Sequence, residues 1–220
     1  MITIGTYRVK NEGRWIGESL ERTLQVADRC IVLDNESADD TCVIARSFGS
    51  RVTVIEQPPG TPFNEANDKT ILLKAAVQEK ADWVFCLDGD EVLTLGAVNE
   101  AREIFYIGAP GIYFFRIAYL WDHPEQERCD SLYNEILAPR LFSMFDQKLS
   151  PISYRTTDHT GNMHCGSLPN DYKGRRRDAL AVIKHYGYLF AADRERKHAW
   201  YNASDTAVGR AREGNYDHII

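Results

Sequence analysis

The tetrapeptide Asp88-Gly89-Asp90-Glu91 places three carboxylates at the end of an apolar run, Trp83 to Leu87. A strand sends successive side chains to opposite faces, but a turn at its end relaxes that rule. Two carboxylates one residue apart can then reach one cation, directly or through water. Gly89 lets the backbone bend without steric cost. Hard oxygen donors of this kind suit Mg2+ or Mn2+, which would bridge a diphosphate. The same residues also read as a solvated acidic turn, or as caps for a helix beginning at Val92. The ligand spacing of an EF-hand loop is missing.

Two further polar clusters follow apolar runs. Asp34-Asn35-Glu36-Ser37, with Asp39, Asp40 and Thr41, follows Cys30 to Leu33. A carboxylate at Asp34 can accept hydrogen bonds from a base or ribose, whereas Ser37 and Asp39 are suited to capping the next helix. Arg8-Val9-Lys10-Asn11-Glu12-Gly13 follows Ile2 to Tyr7, and its cationic and amide groups can meet a nucleotide or simply begin the next helix.

The elements that must hold these clusters alternate in type. Strands are expected at Ile2 to Tyr7, Cys30 to Leu33, Val52 to Glu56 and Trp83 to Leu87. Helical patterns run from Trp15 to Ala27, Thr41 to Phe48 and Glu65 to Ala81. This β-α-β order predicts an α/β fold, a mostly parallel central sheet flanked by helices. Ligands of such sheets bind beyond the carboxyl ends of the strands, where the three clusters converge. The second half is less regular. A strand is expected over Gly111 to Leu120, a polar loop over 121–135, a short apolar piece at Arg140 to Phe145 and a strand over Ala179 to Lys184. Residues 150–178 read as a mobile loop or lid, and a polar helix runs from about Asp193 to Ala203. The organisation expected is an α/β half, 1–120, that carries the three clusters, and a smaller irregular region of the same domain, 121–220, with a C-terminal helix.

Together, "RVKNEG", "IVLDNESADDT" and "ADWVFCLDGDEVL", with "FNEANDKTILLKAA" before the last, resemble the family 2 glycosyltransferases and their relatives with the nucleotide-sugar-binding fold called GT-A. The strong part of the resemblance covers a little under half of the chain. It implies a nucleoside diphosphate sugar donor, with base and ribose near Arg8, Glu12, Asp34 and Asn35. Lys69 resembles the basic residue that reaches the nucleotide from the preceding helix. The metal motif maps onto Asp88 and Asp90, with Asp88 nearer the ribose and Mn2+ or Mg2+ as the ion. In several relatives a C-terminal histidine completes the metal shell. His185, directly after a strand, is the first choice for that ligand, and His164 is an alternative that can instead line the acceptor pocket. "NEILAPRLF" resembles the segment that supplies a general base in inverting members, with Asn134-Glu135 replacing the usual Glu-Asp. Glu135 is the first candidate base and Asp158 the second.

Composition bounds the alternatives. The 220 residues are 44% hydrophobic and 26% charged, enough apolar material for a sizeable core. A net charge of −6 gives no general drive toward nucleic acid or anionic membranes. The basic run Lys173-Gly174-Arg175-Arg176-Arg177 reads as a solvated loop or as one that closes over phosphates. Five cysteines without close pairing read as reduced thiols, buried at Cys30 and Cys86. The opening residues lack a signal-peptide pattern, and no apolar run approaches the ~18 residues of a membrane span. The expectation is a cytoplasmic, soluble protein. A sugar nucleotidyltransferase is a rival reading, but its glycine-rich triphosphate loop is absent after the first strand. A non-catalytic nucleotide or carbohydrate binder is the other rival. Acceptor and oligomeric state are not legible.

Overall fold

The computed structural model describes residues 1–130, 133, 136–145, 147–156, 165–207 and 216–220. In chain order the strands are β1 (Thr3–Val9), β2 (Arg29–Asp34), β3 (Val52–Glu56), β4 (Trp83–Asp88), β5 (Glu91–Leu93), β6 (Ile112–Trp121), β7 (His123–Glu127), β8 (Leu137–Ser143), β9 (Tyr154–Thr156), β10 (Cys165–Pro169) and β11 (Arg176–His185). The helices are α1 (Ile16–Thr23), α2 (Thr41–Ser47), α3 (Glu65–Gln78), α4 (Leu95–Ile107) and α5 (Ala191–Ala207).

The main sheet has the order β3-β2-β1-β4-β8-β6-β11-β5, with β7 beside β6. β3, β2, β1 and β4 are parallel, as the alternating pattern requires. β8 runs antiparallel between β4 and β6. β11 is parallel to β6 and antiparallel to β5. One apolar cluster packs α1 and α4 against one face through Ile16, Leu20, Val98 and Ala101, with Trp83 and Phe85 beneath. A second packs α3 against the other face through Leu72, Leu73 and Ala76 on Ile4 and Val84. Burial on both faces explains why the central strands read as continuous apolar runs.

The parallel register aligns the functional ends. Arg8 lies level with Leu33 on one side and Asp88 on the other, and Val9 pairs with Asp34. The three polar clusters therefore do share one edge.

Several expectations are corrected. The helix expected at Val92 is preceded by β5. Thr94 rather than the acidic turn caps α4, its hydroxyl accepting from the Ala97 N–H at 3.1 Å. The polar stretch after Trp121 is partly a strand. β7 pairs with β6 but exposes every residue, so no alternation marked it. Residues 150–178 are not wholly loop: β9 and β10 form an antiparallel ribbon, and β11 starts at Arg176. Ser37 does not cap α2, whereas Asp39 does in part: its Oδ1 accepts from the N–H of Thr41, the first residue of that helix, at 3.1 Å. The Ser37 hydroxyl accepts from the Asn11 N–H, and the Asp39 carboxylate from the Gly13 N–H, so both hold the loop after β1. No helix among the described residues is long and apolar enough to cross a membrane.

Candidate active site

A pocket of about 320 Å³ opens at the carboxyl ends of β1 and β4. Its walls come from the end of β1 (Arg8) and the loop after it (Glu12), the acidic turn (Asp88, Asp90), the end of β11 (His185) and one face of α5. On α5, Arg196, Lys197, Trp200 and Tyr201 recur at the spacing that brings residues four apart onto one side of a helix.

Two tight turns bring the acidic residues here. A Cβ on Gly89 would stand 2.9 Å from Val9 Cγ1 and from Glu12 Cβ, so the turn crosses the loop after β1 where only glycine fits. A Cβ on Gly187 would stand 2.9 Å from His185 Cε1 and collide with Asp90 Oδ2 and Lys197 Nζ. The Tyr186 N–H donates to the Asp90 carbonyl at 2.9 Å, and His185 pairs with Glu91 across the strands. β11 thus fastens the acidic turn from the far end of the chain.

Asp90 is 2% exposed. Its Oδ2 accepts from Lys197 Nζ and lies 3.5 Å from His185 Nε2. Burial pushes the Asp90 carboxyl up, but His185 and Lys197 outweigh it and hold the group well below the usual carboxylate range. Burial lowers the His185 pKa, against the pull of Asp90. Lys197 adds a hydrogen bond to its charge and so reinforces the ionised form of Asp90. Lys197 Nζ is also 3.6 Å from Glu12 Oε1. Burial and the nearby Asp90 push Glu12 up to about 8, partly offset by Lys197.

Asp88 points the other way, toward Arg140. The Arg140 guanidinium, on β8, donates to Glu91 Oε1 at 2.5 Å and to Asp88 Oδ2 at 3.3 Å. Glu91 Oε2 accepts from the Asp88 N–H at 3.2 Å. Glu91 is therefore structural: it is fully buried and braces the turn whose neighbours face the pocket.

The remaining expected residues fall into three groups. Arg8 and Glu12 line the pocket with Asp88, Asp90 and His185; Arg8 places its guanidinium 4.5 Å from the Phe63 ring centroid, with Nε buried and unpartnered. Asp34, Asn35 and Lys69 lie beside the pocket rather than on its wall. Asp34 Oδ2 accepts from the Ser37 N–H at 3.0 Å, and its Oδ1 is buried without a hydrogen-bond partner. Asn35 donates to Asp68 at 2.6 Å, and Lys69 is held 2.9 Å from Glu65. Glu135, Asp158 and His164 lie outside the described residues.

The donor set suits a hard divalent ion in part. Two ligands each about 2.1 Å from one ion are typically some 3 Å apart, close to the His185 to Asp90 separation. His185 turns Nε2 toward Asp90, whereas its Nδ1 is buried without the hydrogen-bond partner that usually orients a ligating imidazole. However, among the described residues no three His, Cys, Asp or Glu side chains converge as a ready metal cluster. Arg140 and Lys197 occupy the carboxylates instead. Sequence reasoning missed both. Arg140 was signalled by a lone charge between Pro139 and Leu141 in an apolar piece. Lys197 was hidden in a helix read as polar throughout.

A parallel sheet extended by antiparallel strands, with an acidic turn and two basic side chains of α5 facing one pocket, defines an α/β fold of the nucleotide-sugar transferase type, GT-A. The chain belongs to glycosyl transferase family 2, whose family model matches residues 8–183. An uncharacterized glycosyltransferase of Rickettsia bellii is 30% identical over 139 residues, 59% of this chain and 45% of that protein. Uncharacterized glycosyltransferase RP128 of Rickettsia prowazekii is 33% identical over 106 residues, 48% of this chain and 34% of that protein. The chain spans less than half the length of these curated relatives. The crystal structure of S. aureus TarS 1-349 matches all of this chain and 69% of its own with a TM-score of 0.59 at 13% identity. Its complex with UDP-GlcNAc matches with a TM-score of 0.53 at 12% identity, again over all of this chain and 69% of that one. At these identities the likeness is one of fold.

Proposed function

We propose that this chain is the donor-binding catalytic unit of a metal-dependent glycosyltransferase. It moves a sugar from a nucleoside diphosphate sugar to an acceptor, with inversion at the anomeric carbon. The observation that carries this reading is the meeting of Asp88, Asp90 and His185 with four basic side chains at one strand-end pocket. Its volume lies within the roughly 300–1,000 Å³ of small-molecule sites. Formal charges point the same way. Arg8, Lys10, Arg196 and Lys197 balance Glu12, Glu65, Asp88 and Asp90 around the pocket. A diphosphate brings two negative charges, which a divalent ion would neutralise. The solved relative with UDP-GlcNAc supports a uridine nucleotide as the first donor to test.

Asp88, Asp90 and His185 would hold Mn2+ or Mg2+, which when bound offsets diphosphate charge and stabilises the leaving group. Arg8, with its free Nε, reaches the phosphates or ribose from the end of β1. Asp34 offers its unpartnered carboxylate oxygen to the base. Arg196 and Lys197 close the phosphate side from α5. The base that takes the acceptor proton is assigned to Glu135, with Asp158 as the second candidate. The 1–120 half supplies most of the donor contacts, and the 121–220 region serves the acceptor while closing the donor pocket through His185 and α5. The free thiols of Cys30, Cys42, Cys86 and Cys129 fit a reducing, cytoplasmic setting.

The test is a thermal-shift screen of nucleoside diphosphates and their sugars, with and without Mn2+, followed by donor hydrolysis. A ligand at about 100 times its Kd stabilises the native state by roughly 2.7 kcal/mol. The expected result is a Mn2+-dependent shift with a nucleoside diphosphate, lost in Asp90→Asn. No shift with any nucleotide would overturn the reading. Pyrophosphate release from a sugar phosphate and a nucleoside triphosphate would replace it with nucleotidyl transfer.

A further inference from the structure

The oxygen that an ion shared with His185 must use is already taken. Asp90 Oδ2 faces His185 Nε2 at 3.5 Å and is bonded to Lys197 Nζ. That ammonium lies between two acids, 3.6 Å from Glu12 Oε1, and near the Tyr188 ring, 5.7 Å from its centroid. Lys197 is well enclosed, with 14% of its side chain exposed, and Asp90 is almost wholly buried. Two cations in contact with one buried oxygen repel strongly, because little water is present to screen them. An ammonium and a divalent ion therefore exclude each other at this carboxylate.

An enclosed ammonium does not leave a carboxylate without another anion to receive it. Lysine is built for such a transfer, with a compact charge on a flexible four-carbon stem. Its own helix lines the pocket in which a diphosphate would lie, so Nζ can turn from Asp90 to a phosphate oxygen while α5 stays in place.

We propose that Lys197 is an exchangeable counter-cation of the acidic turn: it guards Asp90 in the unliganded chain and passes to the diphosphate when a divalent ion takes its place. This inference rests on the metal-site reading above. It assigns Lys197 two opposite effects, competing with the metal and assisting the diphosphate. A lysine with only a structural role would support both.

The test is Mn2+ binding by electron paramagnetic resonance without nucleotide, and UDP binding by calorimetry at Mn2+ concentrations that saturate each variant, on the full chain. Lys197→Met is expected to bind Mn2+ at least tenfold more tightly than the parent and UDP at least threefold more weakly. Lys197→Arg, which keeps the charge, is expected to stay within threefold of the parent for Mn2+. If Lys197→Met does not melt cooperatively, Lys197→Gln replaces it, with the same expectations. Unchanged or weaker Mn2+ binding in the neutral variant overturns the exchange. Asp90→Asn separates the two levels: if it abolishes Mn2+ binding, the metal site stands even where the exchange fails. If Asp90→Asn binds Mn2+ as the parent does, or the parent binds none, the metal-site reading falls and the exchange with it.

Discussion

Arg140→Met tests whether the acidic turn depends on a buried ion pair. The Arg140 and Glu91 side chains are 12% and 1% exposed, so water screens their contact very little. Removing one partner of a buried pair costs about 3–5 kcal/mol, because the other is left as an uncompensated charge or must take up a proton, as Glu91 would, its carboxyl being already pushed by burial up to about 7 against the pull of Arg140. The second contact, to a half-exposed Asp88 at 3.3 Å, adds little. The expected loss is therefore about 3–4 kcal/mol, a large share of the roughly 5–15 kcal/mol that holds a domain together. For a chain of this size that corresponds to a melting point lower by about 6–16 °C. The assay is urea unfolding followed by circular dichroism in EDTA, so that no bound ion contributes. Glu91→Gln in the Arg140→Met background should recover more than half of the loss. The amide carries no charge and still accepts from the Asp88 N–H. A penalty below about 1 kcal/mol, or a double variant no more stable than Arg140→Met, would refute the argument.

Gly187→Ala should cost about 1–3 kcal/mol by overpacking and weaken UDP binding at least tenfold, because its Cβ meets Asp90, Lys197 and His185. Gly96→Ala, whose nearest neighbours stand at 3.6 and 3.7 Å, should instead be neutral or stabilising by up to about 1 kcal/mol; paired melts decide both. Phe63→Ala removes the ring beside Arg8 and the edge contact to Trp200, 5.2 Å between centroids. Calorimetry should show UDP affinity lower by roughly 2- to 5-fold, the worth of an exposed cation–π contact. Burial pushes the Cys30 thiol up to about 12. Its contribution to stability is full below the ordinary thiol pKa and is lost as pH rises from about 9 to 12. At pH 8, Ellman's reagent should label the exposed Cys129 quickly, and Cys30 and Cys86 only after unfolding.

The donor side was legible because its signals are local. Each parallel strand is a short apolar run, and Arg8, Asp34 and Asp88 each stand where such a run stops. Parallel register then brings those ends level without further information. His185 was legible for the same reason, at the end of β11. Arg140 and Lys197 were not, because their partners lie 49 and 107 residues away, and a charge reveals its pairing only in three dimensions. β7 was missed because a wholly exposed strand carries no alternation. Ser37 misled because the oxygen that suits it to a helix cap serves equally well to latch a neighbouring loop, and Asp39 uses one oxygen for each task.

The placement of β8 has a consequence for synthesis. β4 and β6 are separated by one helix and a short strand in sequence, yet β8 lies between them in the sheet. As the chain leaves the ribosome, the edge of β4 stays unpaired until residues 137–143 have emerged. That edge carries Trp83, Val84 and Phe85, which later pair with Ser143, Phe142 and Leu141. An apolar open edge invites pairing with another chain. A fragment ending near residue 120 would therefore keep the residues of the donor clusters but would be expected to aggregate. The nascent protein passes through a window of about fifty residues, between the end of β4 at Asp88 and the start of β8 at Leu137, in which chaperone capture should be greatest.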